Sequence, residues 1–207
     1  MNKSPANEFL RQIERNAAEL RQYVKRDAPR IVGTIAVNHI REDFAAGGYT
    51  DGGRTPWKVT KRQLSGGASA ASQYGPLTSG RNRLMHSIAY STGDARVTIR
   101  TDVPYASIHN FGGTVHPKVT KRMRRFAWAM YYELSGTAKK GKGDKKKKRY
   151  TLPKPEAEMW KRMALTKKER LDIRIPQRRF MPDGDTPELR KKIADRLERD
   201  LTKILNR

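Results

Sequence analysis

The sequence predicts an α+β fold: long N- and C-terminal helices packed with a small antiparallel β-sheet, plus a basic insertion. Three observations predict it. Apolar residues recur at helical spacing near both ends, as Phe9, Leu10, Ile13, Ala17, Leu20 and Val24 in the first stripe and Leu189, Ile193, Leu197, Leu201, Ile204 and Leu205 in the last. Between them, residues 96–101 and 171–175 alternate apolar and polar side chains with the period of two that suits half-buried strands. Residues 135–149 carry eight cations, one acid and nothing apolar larger than Ala138, so they cannot join a packed core.

The first helix has a start signal in Ser4 before Pro5, and Arg11, Glu14, Arg15, Glu19 and Arg21 oppose its stripe. Asp27 ahead of Pro29 reads as a second cap, where the chain restarts or kinks before Ile31, Val32, Ile35, Ala36, Ile40 and Phe44. Gly47 and Gly48 close that segment, and both helices are expected to belong to the core, with a partner-binding helix pair as the alternative. Residues 47–82 are rich in Gly, Ser and Thr and read as a surface excursion, with Trp57 plugging the end of the core and nucleotide stacking as its weaker alternative. A short helix near Leu84 and Ile88, a turn at residues 91–94 and the strand at 96–101 then form an antiparallel unit.

Pro104 ends that strand, and Tyr105, Ile108 and Phe111 follow at spacings of three with His109 between them. Gly112 and Gly113 stop the short helix, and the three apolar side chains are expected to face the core. A further helix runs from about residue 118 to 134, with Met123, Phe126, Ala127, Met130, Tyr131 and Leu134 on one face. Its first turns hold Lys121, Arg122, Arg124 and Arg125, cations where the helix dipole favours anions, so compensation by an acidic partner or phosphate is expected, or more economically by solvation. Met159, Trp160 and Met163 follow Pro155 as another short helix, Pro176 ends the last strand, and Phe180 is an apolar plug. Thr186, Pro187 and Glu188 supply a cap, a proline and an acid for the final helix. The 207 residues are thus expected to form one domain, with a helical and lysine-rich insertion at about 116–170.

With 45 basic and 21 acidic residues the chain carries a net charge of +24, which favours polyanionic neighbours, either nucleic acid or acidic protein. The absence of cysteine excludes disulfides, thiol nucleophiles and cysteine-based zinc sites. No leader-like or membrane-spanning stretch is visible, so a soluble protein acting where it is made is expected, with no membrane partner. His39, His86, His109 and His116 have no ligand spacing, and no Ser-His-Asp set, paired carboxylates or phosphate-binding loop occurs. No enzyme, no cofactor and no metal are expected, and His109 reads as a satisfied polar member of the corner.

Three ordered blocks carry a family resemblance. Residues 76–81 with Leu84, Ser87 and Ile88, then Val103-Pro104-Tyr105-Ala106 with Ile108-His109 and Phe111-Gly112, then Ile175-Pro176 with Arg178 and Phe180-Met181, resemble tailed-phage virion morphogenesis proteins, the tail completion or neck proteins of the Mu-like group. Trp160 with residues 164–168 is similar to a segment of Mu-like members, whereas Gln177-Arg178-Arg179 departs from a small residue followed by Arg-Pro. The resemblance implies a structural motif of Tyr105, Ile108, His109, Phe111, Gly112, Pro176, Arg178 and Phe180. It further implies a structural virion protein at the head-tail junction, assembled in the host bacterial cytoplasm into a homo-oligomeric, commonly hexameric ring. Tail terminator or tail tube protein, head-tail connector proteins and double-stranded DNA bound without sequence specificity are the implied partners. The basic segment Lys139, Lys140, Lys142, Lys145, Lys146, Lys147, Lys148 and Arg149 is a candidate DNA or partner contact, or else a solvated loop. The charge alone leaves open a basic nucleic-acid-binding protein of non-virion type.

Overall fold

The computed structural model describes residues 5–64, 73–136, 155–182 and 186–206, and the side chains of Lys61 and Arg62 lie outside that description. Chain contacts resolve two compact units: Met1–Gly112 with Pro176–Arg207, and Gly113–Ile175.

The first unit is built on a long helical entry, α1 (Pro5–Gln22) and α2 (Ala28–Ala46), joined by a π-helical turn at Tyr23–Asp27. Asp27 does not cap and the chain does not restart: its backbone stays right-handed helical and its side chain makes no cap bond. The reason is Pro29, which has no N–H to give to the preceding turn. The helix absorbs that loss by widening, and the Ala28 amide reaches back five residues to the Tyr23 carbonyl. α1 contributes no buried residue, so the expectation that both helices are core fails for the first of them. α2 buries Ala36, Val37, Ile40 and Phe44, and Gly47 ends it in the left-handed conformation.

Beyond Gly47 the strands β1 (Gly48–Thr50) and β2 (Arg54–Pro56) pair antiparallel. The buried Asp43 carboxylate anchors this hairpin by accepting from Thr50 Oγ1 at 2.6 Å and Thr50 N at 3.3 Å. After α3 (Lys61–Leu64) and α4 (Arg83–His86), a second antiparallel hairpin joins β3 (Ala89–Gly93) to β4 (Arg96–Arg100). Val97 and Ile99 turn inward as the alternation predicts, but residues 91–93 are strand and the turn is Asp94–Ala95. This hairpin lies on α2, where a Cβ at Gly33 would come within 2.3 Å of the Tyr90 ring. A glycine is needed there because the ring occupies the side-chain position.

The core gathers Val37, Ile40, Phe44, Trp57, Leu84, Ile88, Val103, Ala106 and Phe180. Phe44 lies at its centre, 5.2 Å from Trp57 and 5.4 Å from Phe180 between ring centres. The last helix, α8 (Pro187–Leu205), packs on α1 and α2 through Leu189 and Ile204, whereas Leu205 is exposed. Thr186 does not cap α8, because its hydroxyl is bonded to Tyr49 Oη at 3.0 Å. Along α8, Asp200 accepts from Arg196 at 2.8 Å and from the Tyr23 hydroxyl at 3.2 Å. Burial and the Asp200 charge push the Tyr23 phenol up to about 12.

The second unit pairs β5 (Gly113–Val115) antiparallel with β6 (Ile173–Ile175) and packs α6 (Lys121–Ser135) against α7 (Pro155–Leu165). The completely buried Ala127 and Ala157 let the two helices approach closely, and Phe126 meets Trp160 edge-on at 5.6 Å. Phe126 is otherwise exposed rather than core. Thr120 caps α6 by accepting from Met123 N at 3.2 Å. The compensation expected for the α6 cations is specific for Arg124, which donates to the carbonyls of Ala164 and Thr166 at the negative end of α7.

Candidate functional site

The three sequence blocks, far apart in the chain, meet at one corner of the first unit. There α5 (Ala106–Phe111) and residues 176–181 form a wall opposite residues 77–79 and Leu84. Three hydrogen bonds hold the wall together. Arg178 N donates to the His109 carbonyl at 2.8 Å, and the Asn110 side-chain oxygen accepts from both Phe180 N and Met181 N at 2.9 and 3.0 Å. Gly112 sits where a Cβ would come 2.9 Å from Gln177 N, in a conformation with φ of 74° that only glycine adopts readily.

These contacts correct the expected face of α5. Tyr105 and Phe111 are 40% and 68% exposed, and Ile108 is only half-buried. The buried positions are Val103, Ala106 and Asn110, at spacings of three and four on the opposite side. The reason is the wall itself: the helix must turn Asn110 inward to satisfy two peptide N–H groups that would otherwise be stranded beside Phe180. Sequence reasoning passed over Asn110 because a polar residue interrupts an apolar pattern. Its signal was a short amide four residues after a small apolar one.

Phe180 is completely buried, as expected of a plug, and Pro176 is half-buried at the start of the segment that carries it. Trp57 also behaves as a plug: its ring is buried and its Nε1 donates to the Arg179 carbonyl at 2.7 Å. Arg178 is buried too, and its Nε donates to the Lys58 carbonyl at 2.9 Å. Burial holds its guanidinium below the ordinary arginine range. His109, expected to be a satisfied polar group, is not one: its Nδ1 is buried without a hydrogen-bond partner among the described residues. Burial, with the neighbouring Arg178 charge, lowers the His109 imidazole below its usual range. Between these side chains lies a cleft of about 280 Å³ lined by Thr60, Leu77, Thr78, Ser79, Leu84, Tyr105, His109 and Arg178.

A second recess, of about 630 Å³, opens beside the π turn and gathers Arg21, Lys25, Arg26 and Arg30 around Thr92, Gly93 and Asp94. Lys25 pairs with Asp94 at 3.4 Å, and the three arginines make this recess strongly basic. Nothing in the composition pointed to it, since the four cations are interleaved with the stripe of an amphipathic helix. The other basic candidate, Lys139, Lys140, Lys142, Lys145, Lys146, Lys147, Lys148 and Arg149, lies outside the described residues.

Among the described residues no three His, Asp or Glu side chains gather as a metal site would require. His116 Nδ1 meets a single carboxylate, Asp172, at 2.7 Å, and that bond holds the Asp172 carboxyl below its usual range. No helix among the described residues is long and apolar enough to cross a membrane. The arrangement offers packing, anion-binding donors and exposed faces. Against known proteins, the phage virion morphogenesis family matches residues 7–202. No curated protein and no solved structure matches the chain.

Proposed function

The chain belongs to the phage virion morphogenesis family, whose role is in virion assembly, and from that premise we propose that it is a tail completion or neck protein. In this reading several copies, six in the commonest arrangement, close into a ring at the head-tail junction. The ring joins the tail terminator or tube to the head connector and surrounds the DNA channel, in the neck of a virion assembled in the host cytoplasm.

The observation that carries the reading is the apolar stripe of α1. Phe9, Leu10 and Ile13 are 66%, 56% and 48% exposed, although an amphipathic helix of this kind ordinarily turns such residues into a core. A contiguous exposed stripe marks a surface that another protein covers, and head-to-tail contacts that close by rotation make rings. The charge of +24 supports placement around DNA, since each subunit would repeat the same basic recess about the axis.

Purified protein examined by light scattering and electron microscopy tests the proposal. Ring-sized particles are expected once a polyanion is added, and Phe9→Glu with Ile13→Glu should then leave a folded monomer because those side chains contribute nothing to the core. A parent protein that stays monomeric, together with virions lacking its density at the neck, would overturn the reading. Nucleic-acid affinity that is RNA-selective and persists without virion partners would favour a non-virion binding protein instead.

A further inference from the structure

We propose that the cleft beside Arg178 is a receptor for a carboxylate carried by a partner protein, an aspartate or glutamate side chain that enters it and completes the buried guanidinium. Arg178 is only 6% exposed, yet burial alone acts on its guanidinium and no carboxylate of the described residues pairs with it. Of its five N–H donors, the one at Nε is used by the Lys58 carbonyl, and the terminal nitrogens have no hydrogen-bonded partner among the described residues. A guanidinium whose stem is buried and whose free end opens only on a cleft is partly desolvated, and an anion entering that cleft would offset the cost.

The surroundings select the ligand. His109 lines the same cleft, and its Nδ1, buried just behind the surface, has no hydrogen-bond partner among the described residues. Its ring is held edge-on to Tyr105 at 5.8 Å between ring centres, and its carbonyl is tied to Arg178 N, so the two side chains cannot drift apart. The hydroxyls of Thr60 and Thr78 are already committed as donors, to Gln63 Oε1 at 2.8 Å and the Gly75 carbonyl at 2.9 Å. That leaves the guanidinium fork, the imidazole and the hydroxyls of Ser79 and Tyr105 as donors on the cleft, and the fork with the imidazole matches the two oxygens of one carboxylate. Leu77 and Leu84 complete the wall with apolar surface suited to a side-chain stem. A duplex phosphate is the poorer fit, because the apolar Leu77 and Leu84 in the wall suit a side-chain stem and not a charged sugar-phosphate backbone.

The proposal stands on the cleft and rests on the assembly reading only for where the acidic partner is met. The test follows the four imidazoles of the isolated protein by ¹H–¹³C NMR, with N-acetylglutamate N-methylamide as probe and dimethyl phosphate at equal ionic strength as comparison. A saturable shift of the His109 signal is expected at millimolar probe, at least tenfold weaker with dimethyl phosphate, while the exposed His86 stays in place. Arg178→Gln should abolish it. Should that variant fail to fold, Ser79→Trp at the exposed rim should block the cleft and remove the response while the fold remains. No His109 shift, a shift equal for dimethyl phosphate, or a shift surviving in Arg178→Gln or Ser79→Trp would each overturn the proposal. None of these outcomes depends on whether the protein forms rings.

Discussion

Asn110→Ala should be among the most damaging single substitutions that remove no core volume. The Asn110 side-chain oxygen accepts from two consecutive peptide N–H groups, those of Phe180 at 2.9 Å and Met181 at 3.0 Å. Phe180 is completely buried and Met181 partly so, so water can replace the lost acceptor at Met181 N only in part and at Phe180 N not at all. Each stranded donor costs about 1–3 kcal/mol, and with one of the two partly accessible the sum is about 2–4 kcal/mol. At roughly 2–4 °C per kcal/mol for a chain of this size, calorimetry should show the transition of the first unit lowered by about 5–15 °C. The same bonds hold the Phe180 ring against Phe44, which makes the two residues a coupled pair. Phe180→Ala alone should cost about 3–5 kcal/mol by leaving a cavity. In the double variant water reaches the stranded amides, so the combined loss should fall short of the sum by at least about 0.5 kcal/mol. A melting temperature for Asn110→Ala within 2 °C of the parent, or strict additivity with Phe180→Ala, would refute this account of the corner.

Three further outcomes follow from individual contacts. Gly33→Ala would ordinarily stabilise a helix by about 1 kcal/mol, but here the added methyl meets the Tyr90 ring, so denaturation should show a net loss of stability. Tyr105→Ala should cost less than about 1 kcal/mol, since its exposed ring gains little from folding, and a cost near 3 kcal/mol would return it to the core. His109 is held neutral by burial and by Arg178, so its folded value lies below the ordinary 6.5. The unfolded chain therefore takes up the proton first, and this contribution to stability is complete above about 6.5 and lost as the pH falls through the folded value. Between pH 7.5 and 5.5 the parent should lose more stability than His109→Gln, and equal losses would count against the burial of the imidazole.

The α+β character and the separate elements could be read from local pattern. The alternation at residues 96–101 reappears as β4, and the stripe from residue 31 to Phe44 as α2 closed by Gly47. Pattern failed where a contact distant in sequence decides the outcome. Spacing in α5 fitted either face, and only the arrival of Phe180, 70 residues later than Asn110, selects the polar one. Likewise nothing local says that Gly33 receives the ring of Tyr90, or that Asp27 will stay helical through a π turn. Among 45 cations the one that matters at the corner, Arg178, is set apart by burial, which composition does not report. Thr186 shows the same competition on a smaller scale, its hydroxyl being taken by Tyr49 before it can cap.

The exposed stripe of α1 sets a bound on how the protein associates. Complete burial of Phe9, Leu10 and Ile13 would contribute about 1.5–3 kcal/mol each relative to full exposure, and these side chains are already partly covered. The gain is therefore on the order of 3–5 kcal/mol, whereas fixing two proteins together costs an estimated 4–15 kcal/mol in lost freedom of motion. The stripe alone cannot hold a subunit, still less one whose neighbours share a charge of +24. Stable association then needs a second, charge-compensating contact, and the chain cannot draw that compensation from its own 21 acidic residues without leaving most of its cations unpaired. An anionic partner at the basic recess of the π turn, or a carboxylate at Arg178, supplies it. Affinity between copies should accordingly be weak in the isolated protein and should rise when a polyanion is added. Rings equally stable with and without one would place the dominant contact on a larger apolar surface than α1 provides.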